Sequence, residues 1–371
     1  MSRRRVAVLF GGRSAEHEIS CISARSVIDA LDPATTEVVP IGITREGSWH
    51  LLVGPPALPA ETGRLPEITA GAGAPVKLGG GSGTQELVGA DGSRQAVDVV
   101  FPVLHGPQGE DGAVQGMLEL AGVPYVGAGV LGSAIGMDKA VQKVLFAAVG
   151  LPVVRAEVVR ESEWAEDPEG VAARVDGLGF PVFTKPATLG SSVGISKVHD
   201  PSELVAGLDE AFLYARKALV EMGIEDVREV ECAVLGNDDP VASIAGEIVP
   251  TGHEFYDYEA KYLDEQGARL SIPAELGRDR MERIQRMAIE AFRAIDCAGM
   301  ARVDFFLRGD EVWVNEINTI PGFTQISMYQ KLWEASGLSY RDLVERLLDL
   351  AVERHEAEHG KRMRVREPGG A

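Results

Sequence analysis

The sequence predicts a soluble α/β protein with α+β parts, and three observations lead to this prediction. Its 371 residues allow two or three domains at about 150 residues each. Over residues 1–137, short apolar runs alternate with helical patterns, which is typical of a parallel sheet covered by helices. Apolar residues make up 45% of the chain, which is enough for buried cores. The 43 glycines predict loops that come close to ligands.

The first part of the chain reads as a strand, a tight turn and a helix. Residues 6–10 form a continuous apolar run that ends at two glycines, and Ser14 is a candidate N-cap for a helix reaching about residue 31. Buried strands are predicted at 37–44 and 97–106, with loops and short edge strands between them over 52–96. A helix at 112–122 closes at a glycine.

The rest of the chain alternates less regularly. We predict a helix that starts at Asp138, followed by a strand, a glycine-rich loop and a strand, and then by another helix and strand. Further elements are two strands, a polar loop over 251–274, a helix over 274–297, a hairpin over 300–319 and a helix over 339–356. The predicted domains are 1–137, 138–230 and 231–358, with a frayed tail at 359–371.

Charge and cysteine content exclude several classes of function. The net charge of −20 repels nucleic acid and anionic membranes, although a few local lysines can still bind a phosphate. Cys21, Cys232 and Cys297 are widely spaced and lack a CxxC pattern, which favours a reducing cytoplasm over a disulfide framework. The apolar run at 6–10 is too short for a signal peptide, and we expect no membrane helix.

Two carboxylates follow the first strand, where a dinucleotide-binding protein would bind a pyrophosphate. Glu16 and Glu18 occupy this segment, and the GxGxxG fingerprint is absent. An acid there repels phosphate and suits a cation such as a substrate ammonium group. The alternative is that both acids only complement the dipole of the helix that follows.

The glycine-rich segment 186–194 has the composition of a phosphate-binding loop. Lys185 precedes it, and a strand pattern follows it, so it is not a Walker loop. A hairpin that folds its amides, Ser191 and Ser192 over phosphates fits the pattern. A plain turn is the alternative.

The segment 302–322 carries the strongest chemical pattern. If its turn is centred on Asp310, Asp304 faces Glu316 and Arg302 faces Asn318, with all four side chains on one sheet face. Two acids and an amide on one face are the hard oxygen ligands that Mg²⁺ requires. A solvated polar face is the alternative, but Val303, Phe305 and Val314 already supply a buried face.

Two further loops are less specific. The segment 105–116, with His105, Glu110 and Asp111, reads as a loop that caps a helix. The segment 253–265 interleaves aromatic and charged residues, and its length favours an active-site lid.

Six motifs in order make the sequence resemble the D-alanine–D-alanine ligase family of the ATP-grasp superfamily over about residues 5–355. They are GGRSAEHEIS, HGPQGEDGAVQG, SAIGMDKAVQK, KPATLGSSVG, EFYDYEAKY and RVDFF…VNEINTIPGFTQISMY. The resemblance implies an ATP-grasp fold of three domains, with the nucleotide between the central and C-terminal domains. It also implies an ATP-dependent ligase that joins two D-alanines through an acylphosphate for peptidoglycan synthesis, acting as a homodimer.

The resemblance implies roles for particular residues. It implies two Mg²⁺ or Mn²⁺ ions on Asp304, Glu316 and Asn318. ATP contacts are implied for Lys139, Phe183, Lys185, Ser192, Glu221, Met222, Ile224, Glu229, Phe255 and Phe306. Substrate contacts are implied for His105, Glu110, Lys261, Ser327 and Met328. Catalytic roles are implied for Glu16, Ser191, Tyr262, Arg302 and the Gly322 amide.

The lid also bears on the product that the resemblance implies. Tyr262 would reach Ser191 and Glu16 and exclude water, and relatives that use a hydroxy acid typically carry His at this place. The motif therefore favours an amine as the second nucleophile. Leu189 and the Met222–Gly223 pair depart from other members, which affects the expected adenine contacts only. One alternative is another ATP-grasp ligase, which would keep the metal hairpin but alter Glu16, the lid and Ser327. The other is a non-catalytic nucleotide-binding or scaffold protein, which would lose Asp304, Glu316, Asn318 or Arg302.

Overall fold

The structure is a computed structural model that describes residues 3–57, 65–79, 85–190, 192–250 and 268–359. The strands are β1 (Arg4–Gly11), β2 (Thr36–Ile43), β3 (Trp49–Leu51), β4 (Ala74–Leu78), β5 (Glu86–Gly89), β6 (Arg94–Ala96), β7 (Val99–Pro102), β8 (Ala156–Arg160), β9 (Val182–Pro186), β10 (Ser196–Val198), β11 (Lys217–Met222), β12 (Arg228–Gly236), β13 (Val241–Pro250), β14 (Ala268–Ser271), β15 (Gly299–Arg308) and β16 (Glu311–Asn318). The α-helices are α1 (His17–Ala30), α2 (Ala113–Ala121), α3 (Val130–Met137), α4 (Lys139–Ala148), α5 (Glu161–Glu166), α6 (Pro168–Asp176), α7 (Leu204–Phe212), α8 (Arg278–Ala294), α9 (Met328–Ala335) and α10 (Tyr340–His359). Among the described residues, no helix has the length and apolar content needed to cross a membrane.

The N-terminal part of the chain forms a seven-stranded sheet in the order β6-β5-β4-β3-β2-β1-β7. The predicted parallel arrangement is confirmed for β1 with β2 and with β7, whereas the other strands pair antiparallel. β1 is apolar at consecutive positions because both of its faces are covered: Val8 joins one core and Leu9 the other. β1 lies between β2 and the edge strand β7, and its carboxyl end leads through the two-glycine turn into α1.

The predicted cap of the first helix is wrong. α1 begins at His17, its N-cap is Glu16, and no side chain caps it. The Ser14 Oγ instead accepts a hydrogen bond from the Glu16 amide at 3.1 Å, inside the turn. Ser14 thus orders the turn that carries Glu16 and does not start the helix.

A four-stranded antiparallel sheet, β10-β9-β11-β8, follows in the chain. Its glycine-rich connection between β9 and β10 matches the predicted strand, loop and strand, and α7 confirms the helix predicted after it. α4 starts as predicted, because the Asp138 side chain accepts from the amides of Ala140 and Val141. The strand β8 and the helices α3, α5 and α6 were not predicted, since their patterns are short and irregular.

The C-terminal sheet has the order β14-β13-β12-β15-β16 and is antiparallel throughout. Two boundaries differ from prediction: β14 pairs with β13 inside the segment expected to be a loop, and α8 spans 17 residues, shorter than expected. Backbone pairing with a long neighbour organises β14, which has only four residues of its own. The helix α9, also not predicted, follows the hairpin and packs on this sheet.

The predicted hairpin register is confirmed at its polar end, where Asp304 pairs with Glu316. Nearer the turn the register differs by one residue, because a bulge at Asn315 lets Val314 pair with Phe305. In an uninterrupted strand, Val314 and Glu316 would share one face. The bulge allows the fully buried Val314 to face the core while Glu316 faces a cavity.

The buried side chains form separate cores. One core of 28 residues joins the seven-stranded sheet and α1 to α9 and α10, so that Val6 and Leu347 belong to the same cluster. A second core lies between α8 and the five-stranded sheet. The four-stranded sheet has a core of its own, 11 residues drawn from 159–220.

Candidate functional site

A cavity of about 590 Å³ lies between the four-stranded and five-stranded sheets. The glycine-rich loop forms one wall and the polar face of the hairpin forms another. Twelve residues predicted from the sequence line it: Lys139, Phe183, Lys185, Ser192, Glu221, Met222, Ile224, Glu229, Arg302, Asp304, Phe306 and Glu316. The structure therefore brings together two motifs that lie more than 100 residues apart in the chain.

The hairpin wall carries a network of charges centred on Asp304. Arg302 donates to both carboxylate oxygens of Asp304 at 2.7 Å, and its Nε lies 3.0 Å from Oε2 of Glu231 on β12. Asn318 lies outside the cavity lining, but its Nδ2 donates to Asp304 Oδ2 at 3.1 Å. Burial by itself lowers the pKa of Arg302, but Asp304 and Glu231 outweigh it and raise that pKa well above its usual value. Arg302 is therefore a fixed cation at this wall.

Lys139, at the start of α4, spans the cavity. Its Nζ lies 3.0 Å from Oε2 of Glu316 and donates to the Leu189 carbonyl of the glycine-rich loop at 2.8 Å. Burial lowers the pKa of Lys139, but Glu316 and Glu110 outweigh that effect and raise it. One ammonium group thus links the acidic hairpin to the loop.

The donor set at the hairpin fits a hard divalent cation. Asp304 and Glu316 offer carboxylate oxygens, Asn318 offers an amide oxygen, and all three side chains lie at one wall. Within the described ranges, no group of three or more His, Cys, Asp or Glu side chains converges. An ion at this wall would therefore take ligands from substrate and solvent as well.

A buried cluster of charged side chains at the cavity wall was not predicted in full from the sequence. Glu221, at 3% exposure, forms ion pairs with both Lys185 and Lys143, which are almost as deeply buried. Glu221 and Lys185 line the cavity, whereas Lys143 does not. The signal for Lys143 was its position four residues after Lys139 in DKAVQK, which places both lysines on one face of α4.

Glu16 lies where the N-terminal turn meets the glycine-rich loop. Its Oε2 is 3.9 Å from the position that a Cβ on Gly190 would take and 3.0 Å from that of Gly106. Glu110 accepts a hydrogen bond from the Gly106 amide at 2.8 Å. Burial, with the nearby charge of Glu16, raises the pKa of Glu110 to about 8. The predicted first-substrate residues Glu16 and Glu110 are therefore neighbours.

His105 connects this region to the segment after the hairpin. Its Nε2 lies 3.2 Å from Ser23 Oγ, which also accepts from the Phe323 amide at 3.4 Å. Burial lowers the pKa of His105, so the ring favours its neutral form. A smaller cavity of about 260 Å³ reaches His105 from the N-terminal sheet.

The segment after the hairpin is compact around Gly322. A Cβ at this glycine would lie 2.8 Å from Ser327 Oγ, so a larger residue would displace that hydroxyl. Ser327 Oγ also accepts from the Thr324 amide at 3.0 Å. Met328 is buried in the shared core, which leaves only its backbone available to a ligand.

Four predicted site residues lie outside the described residues: Ser191, Phe255, Lys261 and Tyr262.

Family models match most of the chain. Residues 5–128 match the family model described as "D-ala D-ala ligase N-terminus", and residues 145–349 match "D-ala D-ala ligase C-terminus". The chain belongs to the D-alanine–D-alanine ligase family. The predicted resemblance and the ATP-grasp fold class are thereby confirmed, and the relatives named D-alanine–D-alanine ligase are ATP-dependent ligases that form a peptide bond.

Individual members of the family cover nearly the whole chain. A D-alanine–D-alanine ligase of Thermoanaerobacter sp. (strain X514) is 49% identical over 360 residues, covering 96% of this chain and 98% of its own. The structure of the D-alanine–D-alanine ligase from Coxiella burnetii superposes with a TM-score of 0.85 at 38% identity, covering 97% of each chain. The VanG D-Ala:D-Ser ligase from Enterococcus faecalis superposes with a TM-score of 0.83 at 34% identity, covering 94% of this chain and 100% of its own.

Proposed function

We propose that this protein joins two D-alanine molecules into D-alanyl-D-alanine at the expense of ATP, for peptidoglycan synthesis. ATP transfers its γ-phosphoryl group to the carboxylate of the first D-alanine, which gives an acylphosphate and ADP. The amine of the second D-alanine attacks the acyl carbon, and phosphate leaves. The observation that carries the proposal is the position of Glu16, an acid suited to an ammonium group, beside the glycine-rich loop, with its Oε2 3.9 Å from where a Cβ on Gly190 would lie.

The cavity between the two sheets holds ATP in this proposal. Phe183 and Phe306 pack against the base, and Met222 and Ile224 line the hinge beside it. Glu221 and Glu229 offer carboxylates to the polar edges of the nucleoside. Lys139 and Lys185 hold the phosphates, and Ser192 with the loop amides closes over them.

Asp304, Glu316 and Asn318 would hold two Mg²⁺ or Mn²⁺ ions. Divalent cations bound there supply electrostatic stabilisation of the phosphates during phosphoryl transfer. Arg302 and Lys139 now neutralise the same carboxylates, and their positive charges face the substrates once those oxygens bind metal.

The two amino-acid subsites lie beside the phosphates. Glu16 binds the ammonium group of the first D-alanine, and His105 and Glu110 border that subsite. Arg302 and the Gly322 amide stabilise the oxyanion of the tetrahedral intermediate. Ser327 and the Met328 amide, at the start of α9, bind the second carboxylate.

The lid completes the proposed site. Lys261 approaches the transferring phosphate, Phe255 packs on the base, and Tyr262 reaches toward Ser191 and Glu16. A closed lid excludes water, which would otherwise hydrolyse the acylphosphate.

We further propose the domains 1–137, 138–230 and 231–358, a cytoplasmic location and a homodimer. The three free, buried cysteines suit a reducing compartment. Exposed apolar side chains on the adjoining helices α2, α3 and α4, such as Leu120, Leu131 and Val144, suit contact with a second copy. Light scattering should give twice the chain mass of 39.6 kDa.

The deciding experiment is release of ADP and phosphate from ATP and Mg²⁺ in the presence of D-alanine, with the product identified by mass. We expect one ADP and one phosphate per D-alanyl-D-alanine, and no product with L-alanine as the control. D-Serine and D-lactate as second substrates test the nucleophile, because VanG of Enterococcus faecalis is a D-Ala:D-Ser ligase. ATP binding without turnover on D-alanine would contradict the proposed substrate.

A further inference from the structure

Lys143 is a buried lysine to which the proposed reaction gives no role. It lies on α4 one turn after Lys139, so both ammonium groups extend from one face of the helix toward the nucleotide cavity. Lys139 reaches Glu316 and the loop, whereas Lys143 reaches Glu221 on β11. Burying a charged lysine costs free energy unless an opposite charge compensates it. Lys143 therefore needs an acidic partner.

The partner of Lys143 is shared. Lys185, on β9, forms an ion pair with Oε2 of Glu221, and Lys143 forms one with Oε1. The two lysines lower the pKa of Glu221 although burial opposes them, and burial lowers the pKa of Lys143 although Glu221 opposes it. One carboxylate therefore faces two ammonium groups.

The three side chains differ in their access to the cavity. Glu221 and Lys185 both line the cavity. Lys143 pairs with Glu221 but does not line the cavity. A nucleotide in the cavity can therefore contact Glu221 and Lys185 directly, but Lys143 can act on it only through Glu221.

The helix that carries Lys143 is firmly attached to both sheets. Asp138 caps α4 and pairs with Lys217 of β11, and the Lys139 amide donates to the Ala187 carbonyl at 2.9 Å. Gln142, the residue before Lys143, accepts from the Ile317 amide of β16 at 3.1 Å. These bonds fix the point from which Lys143 reaches Glu221.

We propose that Lys143 is a positioning residue for nucleotide recognition, which holds the Glu221 carboxylate toward the base when Lys185 turns to the phosphates. This inference rests on the proposed ATP site, in which the phosphates compete with Glu221 for the Lys185 ammonium group. With Lys143 in place, Glu221 presents an acceptor to the exocyclic amine of adenine and repels the carbonyl of guanine. Lys143 thereby favours ATP over GTP without touching either.

The test compares Lys143→Met and Lys143→Arg with the wild type in the full chain. Lys143→Met should raise the KM for ATP and the Kd for ADP at least tenfold, leave the KM for D-alanine within twofold, and reduce the ATP-to-GTP preference at least tenfold. Lys143→Arg, which keeps the charge, should restore the preference to within threefold of wild type. Lys77→Met, at an exposed position on β4, is the matched control and should change nothing.

A double variant keeps the test valid if Lys143→Met does not fold, because Glu221→Gln removes the acid that the lysine neutralises. Glu221→Gln with Lys143→Met should have the same KM for ATP as Glu221→Gln alone, within twofold. A further tenfold loss in the double variant, or an unchanged nucleotide preference in folded Lys143→Met, would overturn the inference. Wild-type protein that neither binds ATP nor releases ADP would instead overturn the proposed function and the inference with it.

Discussion

The four-stranded sheet and the two larger sheets are held together in different ways. The N-terminal and C-terminal sheets share one apolar core of 28 buried residues, in which α1 packs against α10. The main core of the four-stranded sheet is its own cluster of 11 residues, and this sheet faces the five-stranded sheet across the cavity of about 590 Å³. Apolar packing therefore fixes the first pair of sheets, while the second pair is separated by a cavity with a mixed polar and apolar lining.

This difference in packing suits the unit built on the shared core and the four-stranded sheet to different functions. The shared core holds the turn of Glu16 and the Gly322 segment in one rigid unit, which suits subsites for two small substrates. The four-stranded sheet carries Lys185 and Gly190, and α4 attaches to it, with Ala140 packing on Leu219 in a small apolar cluster. A region joined through a cavity and a short helix can adjust to a bound nucleotide more readily than one joined by a core.

The largest expected effect is on kcat, when Glu316, the ion-pair partner of Lys139, is replaced. Glu316→Ala should lower kcat by about 10³-fold or more, because it removes a proposed metal ligand and leaves Lys139 without its partner. The fold should persist, since Glu316 lies on the polar face of the hairpin. ADP release measures the effect, and Glu311→Ala, an exposed acid on the same strand, is the control. Unchanged turnover would refute the metal assignment.

A leucine-to-alanine substitution in each of the two cores tests whether the shared core and the core of the four-stranded sheet support different substrate sites. Leu347→Ala in the shared core and Leu208→Ala in the small core should each lower the free energy of unfolding by about 2–5 kcal/mol, because both side chains are fully buried. Leu347→Ala should mainly raise the KM for D-alanine, and Leu208→Ala mainly the KM for ATP. Denaturant unfolding and steady-state kinetics measure both. Equal changes in both KM values for both variants would show that the cores do not serve separate regions.

The raised pKa of Glu110 predicts a pH dependence of stability. Its pKa of about 8 exceeds the usual value of 4.5, so the folded state holds a proton that the unfolded chain releases. The stabilisation is complete below pH 4.5 and is lost as the pH rises through 8. Between these limits Glu110 contributes a slope of about −1.4 kcal/mol per pH unit to the free energy of unfolding.

Glu110→Gln should remove this slope. Urea unfolding of the variant and the wild type from pH 5 to 9 measures it, with Asp209→Asn, an exposed acid on α7, as the control. A slope that is the same in wild type and Glu110→Gln would mean that Glu110 is ionised in the folded protein at neutral pH.

The smallest effect is expected at the start of α4. Asp138→Ala removes the cap of two amides and the ion pair with Lys217, and should cost about 1 kcal/mol of stability. Because α4 attaches the four-stranded sheet, the KM for ATP should rise a few-fold while that for D-alanine stays constant. Lys217→Met tests the ion pair alone and should have a smaller effect. An equal rise in both KM values would argue against α4 as a local attachment.

Much of the fold was predictable because its elements are locally encoded. The apolar run of β1, the glycine that closes α2 and the Asp138 cap of α4 each depend on a few neighbouring residues. β14 and α9 escaped prediction, since pairing with β13 and packing against the sheet organise them more than their own sequences do. Ser14 was misassigned because a serine serves equally well in a turn and at a cap.

The hairpin shows where the sequence suffices and where it does not. Period-two alternation and the turn at Gly309–Asp310 determine that Asp304 faces Glu316. The bulge at Asn315 was not predictable, since it arises because Val314 must join the core and Glu316 must avoid it.

The sequence by itself determined the local elements, the acidic face of the hairpin and the family to which the chain belongs, because ordered motifs and short-range periodicity are written directly in the residues. Only the tertiary structure decided which motifs meet. Glu16 lies near Gly190, and Lys143 pairs with Glu221, across separations of 174 and 78 residues. Contacts at such distances along the chain depend on how sheets pack around cores and a cavity, and no local propensity specifies them.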